Sequence, residues 1–103
     1  MNHRYRDVLD YEIGARLVVE FVTERNNVVD YAVILTVDDD DGAATVRVYD
    51  GAHGVNDMHR HNRRGQKSPA TTFHAGTLGE GMRAAITAIR ADYKEMIAGW
   101  RTT

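Results

Sequence analysis

The segment "TLGEGMRAAITAIRADYKEMIAGW", Thr77 to Trp100, decides the fold that we expect for this chain of 103 residues. Thr77 and Glu80 have the spacing of a capping box, in which each side chain bonds the backbone N–H of the other residue at a helix start. The apolar residues that follow recur at helical spacing, which is typical of an amphipathic α-helix. They are Leu78, Met82, Ala85, Ile86, Ile89, Tyr93, Met96, Ile97 and Trp100. The segment therefore predicts a helix of about 23 residues with one apolar face to bury.

The residues upstream show the patterns of β-strands. The stretch "VVDYAVILTV", Val28 to Val37, is apolar on nearly both faces, which is typical of a central strand. Period-2 alternation predicts one strand on either side of it, and the three strands predict a meander of hairpins. We expect the helix to pack on one apolar set from the flanking strands, with Arg47 and Tyr49 on the opposite face. That set is Leu17, Val19, Phe21, Val46 and Val48.

The stretch between Asp50 and Gly76 is too long for a structureless connection in a compact domain. Within it, "MHRHN" and "ATTFH" predict two short strands joined by "RRGQKSP". The first dozen residues show no period, and we assign them no structure. The expected fold is α+β: a single domain, residues 1–103, with an antiparallel sheet of four or five strands and one long C-terminal helix across one face.

Composition limits the classes of function. The chain has no cysteine, which excludes disulfides, thiolate zinc sites and thiol nucleophiles and fits a reducing compartment. No apolar run approaches the roughly 20 residues that cross a bilayer, so we expect a cytoplasmic protein with no membrane partner. The formal net charge is −2, which favours no partner for the molecule as a whole. One helix covers only one face of the central strand, so either the N-terminal residues or a second chain covers the other; we expect a homodimer.

The stretch "YDGAHGVNDMHRHNRRGQK", Tyr49 to Lys67, carries the candidate chemistry because it contains three of the five histidines. On a strand, His59 and His61 share a face, so the pair can serve as acid and base near neutral pH. Asp50 and His53 are candidates to orient or tune them. Glycines at positions 51 and 54 would let a ligand approach the backbone.

A cluster of cations next to this pair is suited to phosphate groups. Its members are Arg60, Arg63, Arg64 and Lys67. Paired histidines beside cations suit RNA cleavage without a metal, in which the 2′-hydroxyl is the nucleophile and the protein supplies acid, base and charge stabilisation. The predicted catalytic residues are then His59, His61, His53 and Asp50, and the four cations are the predicted nucleic-acid contacts.

Two other interpretations use the same residues. His53, His59 and His61, with Asp57 or His74, have the donor types of a transition-metal site. Four cations nearby would repel a divalent ion, so we expect no metal and no cofactor. The stretch is also compatible with a solvated surface or a protein-contact surface without chemistry, since polar loops of this kind are common.

The sequence also resembles the TumE-like toxin family of small bacterial proteins. The motif "YDxAHG", the later "HRH" and the threonine–leucine pair that opens the helix carry the resemblance. The matching residues are Arg47, Tyr49, Asp50, Ala52, His53, Gly54, His59, His61, Thr77 and Leu78. Gly51 departs from the family, which usually has asparagine there. The resemblance implies a small α+β toxin that is paired with a DNA-binding antitoxin, and it names no reaction.

These observations together favour a toxin-like protein that acts on RNA, as a metal-independent ribonuclease with a histidine pair. The alternatives are a non-enzymatic module that binds nucleic acid or a partner protein, and a small metal-binding domain.

Overall fold

A computed structural model describes residues 1–103 as one antiparallel sheet with a single helix across one face. The strands pair in chain order, each with its neighbour in sequence. The elements are β1 (Asn2–Asp10), β2 (Ala15–Glu24), β3 (Asn27–Asp39), β4 (Gly42–Asp50), β5 (Asn56–Arg60), β6 (Thr71–His74) and α1 (Leu78–Arg101). The α+β class and the C-terminal helix are confirmed, and the sheet has six strands rather than the expected four or five.

The additional strand is β1, which forms an edge of the sheet by pairing with β2 from Asn2↔Val22 to Asp10↔Ala15. Charged side chains lie on both of its faces, as is common at sheet edges, where they discourage pairing with other chains. This distribution removes the alternation of polar and apolar residues that marks a half-buried strand. The N-terminal residues therefore extend the sheet, and the suggestion that they cover its second face is wrong.

The core lies between the sheet and α1. Leu17, Val33, Leu35, Ile89 and Ile97 are almost completely buried there. The apolar stripe of the helix thus packs on the sheet as predicted, and burial of this apolar area is the main force holding the two layers together. The helix does not combine the length and apolar character that crossing a membrane requires.

A β-bulge in β4 changes which of its residues enter this core. Leu35 pairs with Arg47 and Thr36 pairs with Thr45, so Val46 is an extra residue in the ladder. Val46 and Tyr49 are buried in the core, whereas Val48 pairs with Ile34 and lies on the opposite face. The prediction that Val46 and Val48 share a face, with Arg47 and Tyr49 opposite, is wrong because the bulge shifts the alternation by one residue.

The start of α1 is fixed by a capping box and by one buried amide. The Thr77 hydroxyl accepts from the Glu80 N–H at 3.1 Å, and the Thr77 N–H donates to Glu80 Oε1 at 3.2 Å, as predicted. Asn56 of β5 lies with its Nδ2 within 3.3 Å of three backbone carbonyls just before the helix. It also accepts from the Tyr31 hydroxyl at 2.7 Å. A Cβ at Gly81 would lie 1.9 Å from Asn56 Oδ1, so only glycine permits this close docking of helix on strand.

Candidate functional site

A histidine and an aspartate meet on the open face of the sheet, which we define as the face opposite α1. The register of β4 and β5 sets His59 opposite Val48 and Asp57 opposite Asp50. His59 Nε2 lies 3.6 Å from Asp50 Oδ2, and His59 Nδ1 lies 3.0 Å from the Ser68 carbonyl oxygen. The predicted association of Asp50 with His59 is therefore present, and we call these two residues the Asp50–His59 pair.

The partners of His59 determine where its ring carries hydrogen. A carbonyl oxygen can only accept, so Nδ1 is the donor in the bond to Ser68. Nε2 then faces a carboxylate, and the contact with Asp50 becomes an ion pair when the ring is protonated. The side chains of His59 and Asp50 are 14% and 19% exposed, so solvent screens this contact less than it would on an open surface. The ring is held in one orientation and still has access to solvent.

A second carboxylate makes the surroundings of the pair unusually acidic. Asp57 is buried and lies directly across from Asp50, and the Thr72 hydroxyl donates to its Oδ1 at 3.4 Å. Two like charges at opposed positions on neighbouring strands destabilise a sheet. These two carboxylates, together with burial, also raise the pKa of the Tyr31 hydroxyl, with burial as the larger cause. A protonated His59 would offset the repulsion between the aspartates.

His53 does not join the pair. It lies on the exposed loop between β4 and β5, and no hydrogen bond or ion pair connects it to Asp50 or His59. Gly51, in the same loop, packs tightly, because an added Cβ would lie 2.9 Å from Leu78 and 3.0 Å from Tyr31. Its role is therefore packing and not the approach of a ligand. Gly54 has φ +78° with open space around it, as a turn residue would.

His61 has surroundings that differ from those of His59. It follows β5, forms an isolated bridge with Lys67, and lines a depression of about 310 Å³ beside the C-terminal end of α1. Desolvation lowers its pKa, and the charges of Lys67 and His59 lower it further. The prediction that His59 and His61 share a face is wrong, because His59 lies on the open face and His61 lines the depression beside α1. The two imidazoles still influence each other electrostatically.

The segment after His61 is a tight hairpin loop held by Asn62. The Asn62 side-chain oxygen accepts from the backbone N–H of Arg64 at 3.0 Å and of Gln66 at 2.9 Å. Gly65, with φ +79°, completes the turn. The loop holds its cations outward, and we call residues 60–67 the basic hairpin.

One of the four predicted nucleic-acid contacts already has partners within the protein. Arg63 lies 3.8 Å from a carboxylate oxygen of Asp39, and its guanidinium is 5.7 Å from the centre of the Trp100 ring. Arg60, Arg64 and Lys67 are exposed, and none of them forms an ion pair with an acidic side chain. These three are the cations that remain available to a ligand.

The candidate metal ligands are dispersed. No group of three or more histidine, aspartate or glutamate side chains has the arrangement to hold a metal ion. His74, which was a candidate fourth ligand, ends β6, and its carbonyl accepts from the Asn56 amide at 3.3 Å.

A depression on the open face reaches Asp50 of the pair, but not His59, and was not predicted from the sequence. It has a volume of about 580 Å³ and is lined by Arg4, Glu20, Ala32, Val48 and Asp50, among others. Its residues come from four strands that are adjacent only in the folded sheet, so no local motif marks it. It offers a ligand at Asp50 a surface of mixed charge that extends across β2 and β3.

Comparison with known proteins gives a family but no activity. Residues 1–102 match the model of a domain of unknown function, DUF7718. The chain belongs to the DUF7718 family. No curated protein and no solved structure matches it. The DUF7718 description names neither a toxin nor RNA, so the resemblance to TumE-like toxins stays a prediction.

Proposed function

We propose that the protein is a toxin-like factor that acts on RNA, as a metal-independent ribonuclease in which His59 and His61 transfer protons. The observation that carries the proposal is the Asp50–His59 pair, in which a ring is fixed between a carbonyl and a carboxylate. A histidine oriented by a carboxylate is a recurring device for proton transfer. The pair stands at the start of the basic hairpin, whose exposed cations suit phosphate groups.

His59 lies on the open face and His61 beside α1, so the proposal requires the RNA strand to pass around the end of β5 to meet both. The two histidines then suit different roles. The lowered pKa of His61 favours its neutral form near pH 7, and a neutral imidazole can take the proton of an RNA 2′-hydroxyl. Asp50 supplies the negative partner that a protonated His59 needs. Nδ1 is held by the Ser68 carbonyl, so Nε2, which lies 3.6 Å from Asp50 and beyond hydrogen-bond distance, would donate the proton to the departing 5′-oxygen. The 2′-oxygen then bonds phosphorus as the bond to the 5′-oxygen breaks, which yields a cyclic phosphate and a 5′-hydroxyl.

Binding of RNA in this proposal is local and sensitive to salt. The formal net charge of −2 gives no overall attraction, so Arg60, Arg64 and Lys67 would make the phosphate contacts. Arg63 contributes less, because it is engaged with Asp39 and Trp100.

Variants that separate catalysis from binding test the proposal. We expect His59→Ala and His61→Ala each to slow cleavage of a labelled RNA by about 10²–10⁴-fold with little change in affinity. His59→Asn is a second variant, because its amide can still donate to the Ser68 carbonyl and so preserve the fold. Arg64→Ala and Lys67→Ala should weaken binding and each reduce its salt dependence by about one phosphate contact.

His53→Ala is the matched control, since it removes an exposed histidine that has no bonded partner. Melting temperatures of all variants identify losses that are due only to unfolding. The proposal fails if the purified protein leaves RNA uncut, or if His59→Asn and His61→Ala fold normally and cleave at the wild-type rate.

A binding module without chemistry is the second candidate, and one observation favours it. The His59 ring is only 14% exposed and bonds Ser68, so it also braces β5 against the segment that precedes β6. A module of this kind predicts that substitutions in the basic hairpin matter, that the histidine variants bind normally, and that RNA stays intact.

The partners in the proposal are RNA and an antitoxin protein, with a cytoplasmic site of action. The resemblance to TumE-like toxins supports the antitoxin, which would be a small DNA-binding protein. Co-expression with the product of an adjacent gene of that kind, followed by purification through a tag on this chain, should recover both proteins together. Recovery of this chain alone in each such trial would contradict the pairing.

A further inference from the structure

Three buried side-chain nitrogens in this protein have no hydrogen-bond partner, and all three belong to residues around one depression. They are Arg47 Nε, His61 Nε2 and Trp100 Nε1. The three residues line the depression of about 310 Å³ between the ends of β4 and β5 and the last turn of α1, which we call the Trp100 depression. Trp100 is only 5% exposed. Buried polar groups in folded proteins nearly always have a partner. Arg47 Nε and Trp100 Nε1 can only donate, and His61 Nε2 donates in one of its two tautomers, so the three together point to a ligand that accepts hydrogen bonds.

The charges around the depression point to the same kind of ligand. Arg47 and Arg60 are directly opposed in the β4–β5 register and both line the Trp100 depression. Like charges in opposed positions repel, and neither guanidinium forms an ion pair with an acidic side chain. Arg47 makes one polar contact, in which its Nη1 donates to the Tyr49 hydroxyl at 3.5 Å. An anion between the two arginines would relieve this repulsion.

Negatively charged groups at this site are few, and the hydrogen-bond acceptors at the helix end already have donors. Glu95 is the only carboxylate side chain among the lining residues. The carbonyls of Gly99 and Trp100 at the helix end accept hydrogen bonds from the two threonines that follow, Thr102 and Thr103. Lys67 adds positive charge near His61, where it is one cause of the lowered pKa. The balance at the depression is therefore positive.

We infer that the Trp100 depression binds a phosphate monoester group through Arg47, Arg60, His61 and Trp100. A phosphate presents several oxygens that only accept, and guanidinium groups bind such oxygens in pairs. A monoester is inferred in preference to a diester, because residues of α1 line one side of the depression and a monoester extends from its phosphate in one direction only. Met96 and the Trp100 ring supply an apolar wall for the sugar or base that carries the phosphate.

This site lies apart from the Asp50–His59 pair but shares Arg60 and His61 with the proposed RNA site, so its test measures phosphate binding without RNA cleavage. Two sources share its chemistry: a free nucleoside monophosphate and the 5′-phosphate end of an RNA strand. A protein that binds phosphate but leaves RNA uncut would refute only the ribonuclease proposal, and one that cuts RNA but does not bind phosphate would refute only this inference.

The chain has one tryptophan, so its indole N–H gives a single resonance that reports directly on the site. Titration of inorganic phosphate into the ¹⁵N-labelled protein should move this resonance and saturate, while chloride at equal ionic strength should not. Arg60→Ala, which changes an exposed side chain, should weaken the apparent affinity for phosphate by about tenfold or more, as expected for loss of a charged hydrogen bond. Arg83→Ala removes an exposed cation of α1 outside the depression and should bind phosphate as the wild type does.

Calorimetry with adenosine 5′-monophosphate extends the test to Trp100→Phe, which keeps an aromatic ring and removes the indole donor. Because Phe is smaller and Trp100 is buried in the core, the melting temperature of this variant is measured alongside to show that it is folded. We expect Trp100→Phe to bind adenosine 5′-monophosphate more weakly than the wild type does. Short RNA with a 5′-phosphate should compete with phosphate, whereas the same RNA with a 5′-hydroxyl should not. Whichever of the nucleotide and the 5′-phosphorylated RNA binds more strongly identifies the source of the phosphate group. The inference is overturned if the indole resonance stays in place, as it would with ordered water alone. Equal movement in chloride, equal competition by both RNAs, or wild-type affinity in Arg60→Ala and Trp100→Phe would also overturn it.

Discussion

The two faces of the sheet are built from the same strands, but their apolar side chains are shielded from water in different ways. On the face under α1, residues such as Val33 and Leu35 are shielded by the helix. On the open face no helix covers the sheet, yet Val18 is only 9% exposed. Val18 lies between Arg6 on β1 and Ile34 on β3, which pair with it across the sheet. Long charged side chains such as that of arginine shield apolar surface with their methylene groups. An apolar central strand therefore does not require a second covering layer.

The first test of this comparison replaces one isoleucine with alanine in the core under α1 and one on the open face. Ile89→Ala should reduce the free energy of unfolding by about 2–5 kcal/mol, because Ile89 is completely buried and a cavity remains. Ile34→Ala on the open face should cost about 1 kcal/mol, since the site is half-buried and solvent can fill the space. Urea unfolding of both variants measures the difference. Equal losses would show that something covers both faces equally.

A second chain that covers the open face would make the two losses of stability equal. The homodimer expected from the sequence remains a prediction. Light scattering at about 100 µM, well above a micromolar dissociation constant, should show a dimer. If the dimer forms through the open face, Ile34→Lys should weaken association by about tenfold or more, since a charge would replace an apolar contact. Val29→Lys changes a residue that is already exposed and serves as the control. A wild-type protein that is monomeric at this concentration would contradict the prediction.

The smallest expected effect is on the pH dependence of stability, in which His61 is compared with the exposed His53. The folded pKa of His61 lies below its ordinary value of 6.5, with desolvation as the main cause and Lys67 and His59 as further causes. Between the folded and unfolded values the unfolded chain binds more protons, so stability is complete above about pH 6.5 and declines as pH falls through the folded pKa. His61→Asn should remove part of this decline.

Urea unfolding at several pH values between 5 and 8 measures the effect as a slope. His53→Asn is the matched control, because His53 is exposed and its replacement should leave the slope unchanged. Identical slopes for the wild type and His61→Asn would mean that burial of His61 has no consequence for stability.

The elements that the sequence predicted well depend on local signals. The capping box and the helical period of α1 are contained within the helix itself, so no tertiary information was needed. The strand β1 escaped prediction because its polar edge position removes the period. The bulge at Val46 was also invisible, since valine suits both faces of a strand and only the pairing with β3 reveals the extra residue.

The candidate site was predictable to the extent that one hairpin builds it. Asp50 and His59 lie on adjacent strands joined by a short loop, and their association follows from that register. The contact of Arg63 with Asp39 depends on the meeting of two separate turns, which no spacing in the chain indicates. Trp100 has the position of a core residue in the apolar stripe, and the sequence does not reveal that its indole nitrogen lacks an acceptor.

The strictly sequential order of the sheet has a consequence for how the chain folds. Each strand pairs with the one just made, so every pairing closes a short loop and costs little chain entropy. The exception is α1, which is the last element in the chain and packs against β3. During synthesis the sheet can therefore assemble strand by strand while Val33 and Leu35 still face water. A nascent chain that stalls before the helix would present an aggregation-prone apolar surface, and protection of that surface depends on the final two dozen residues.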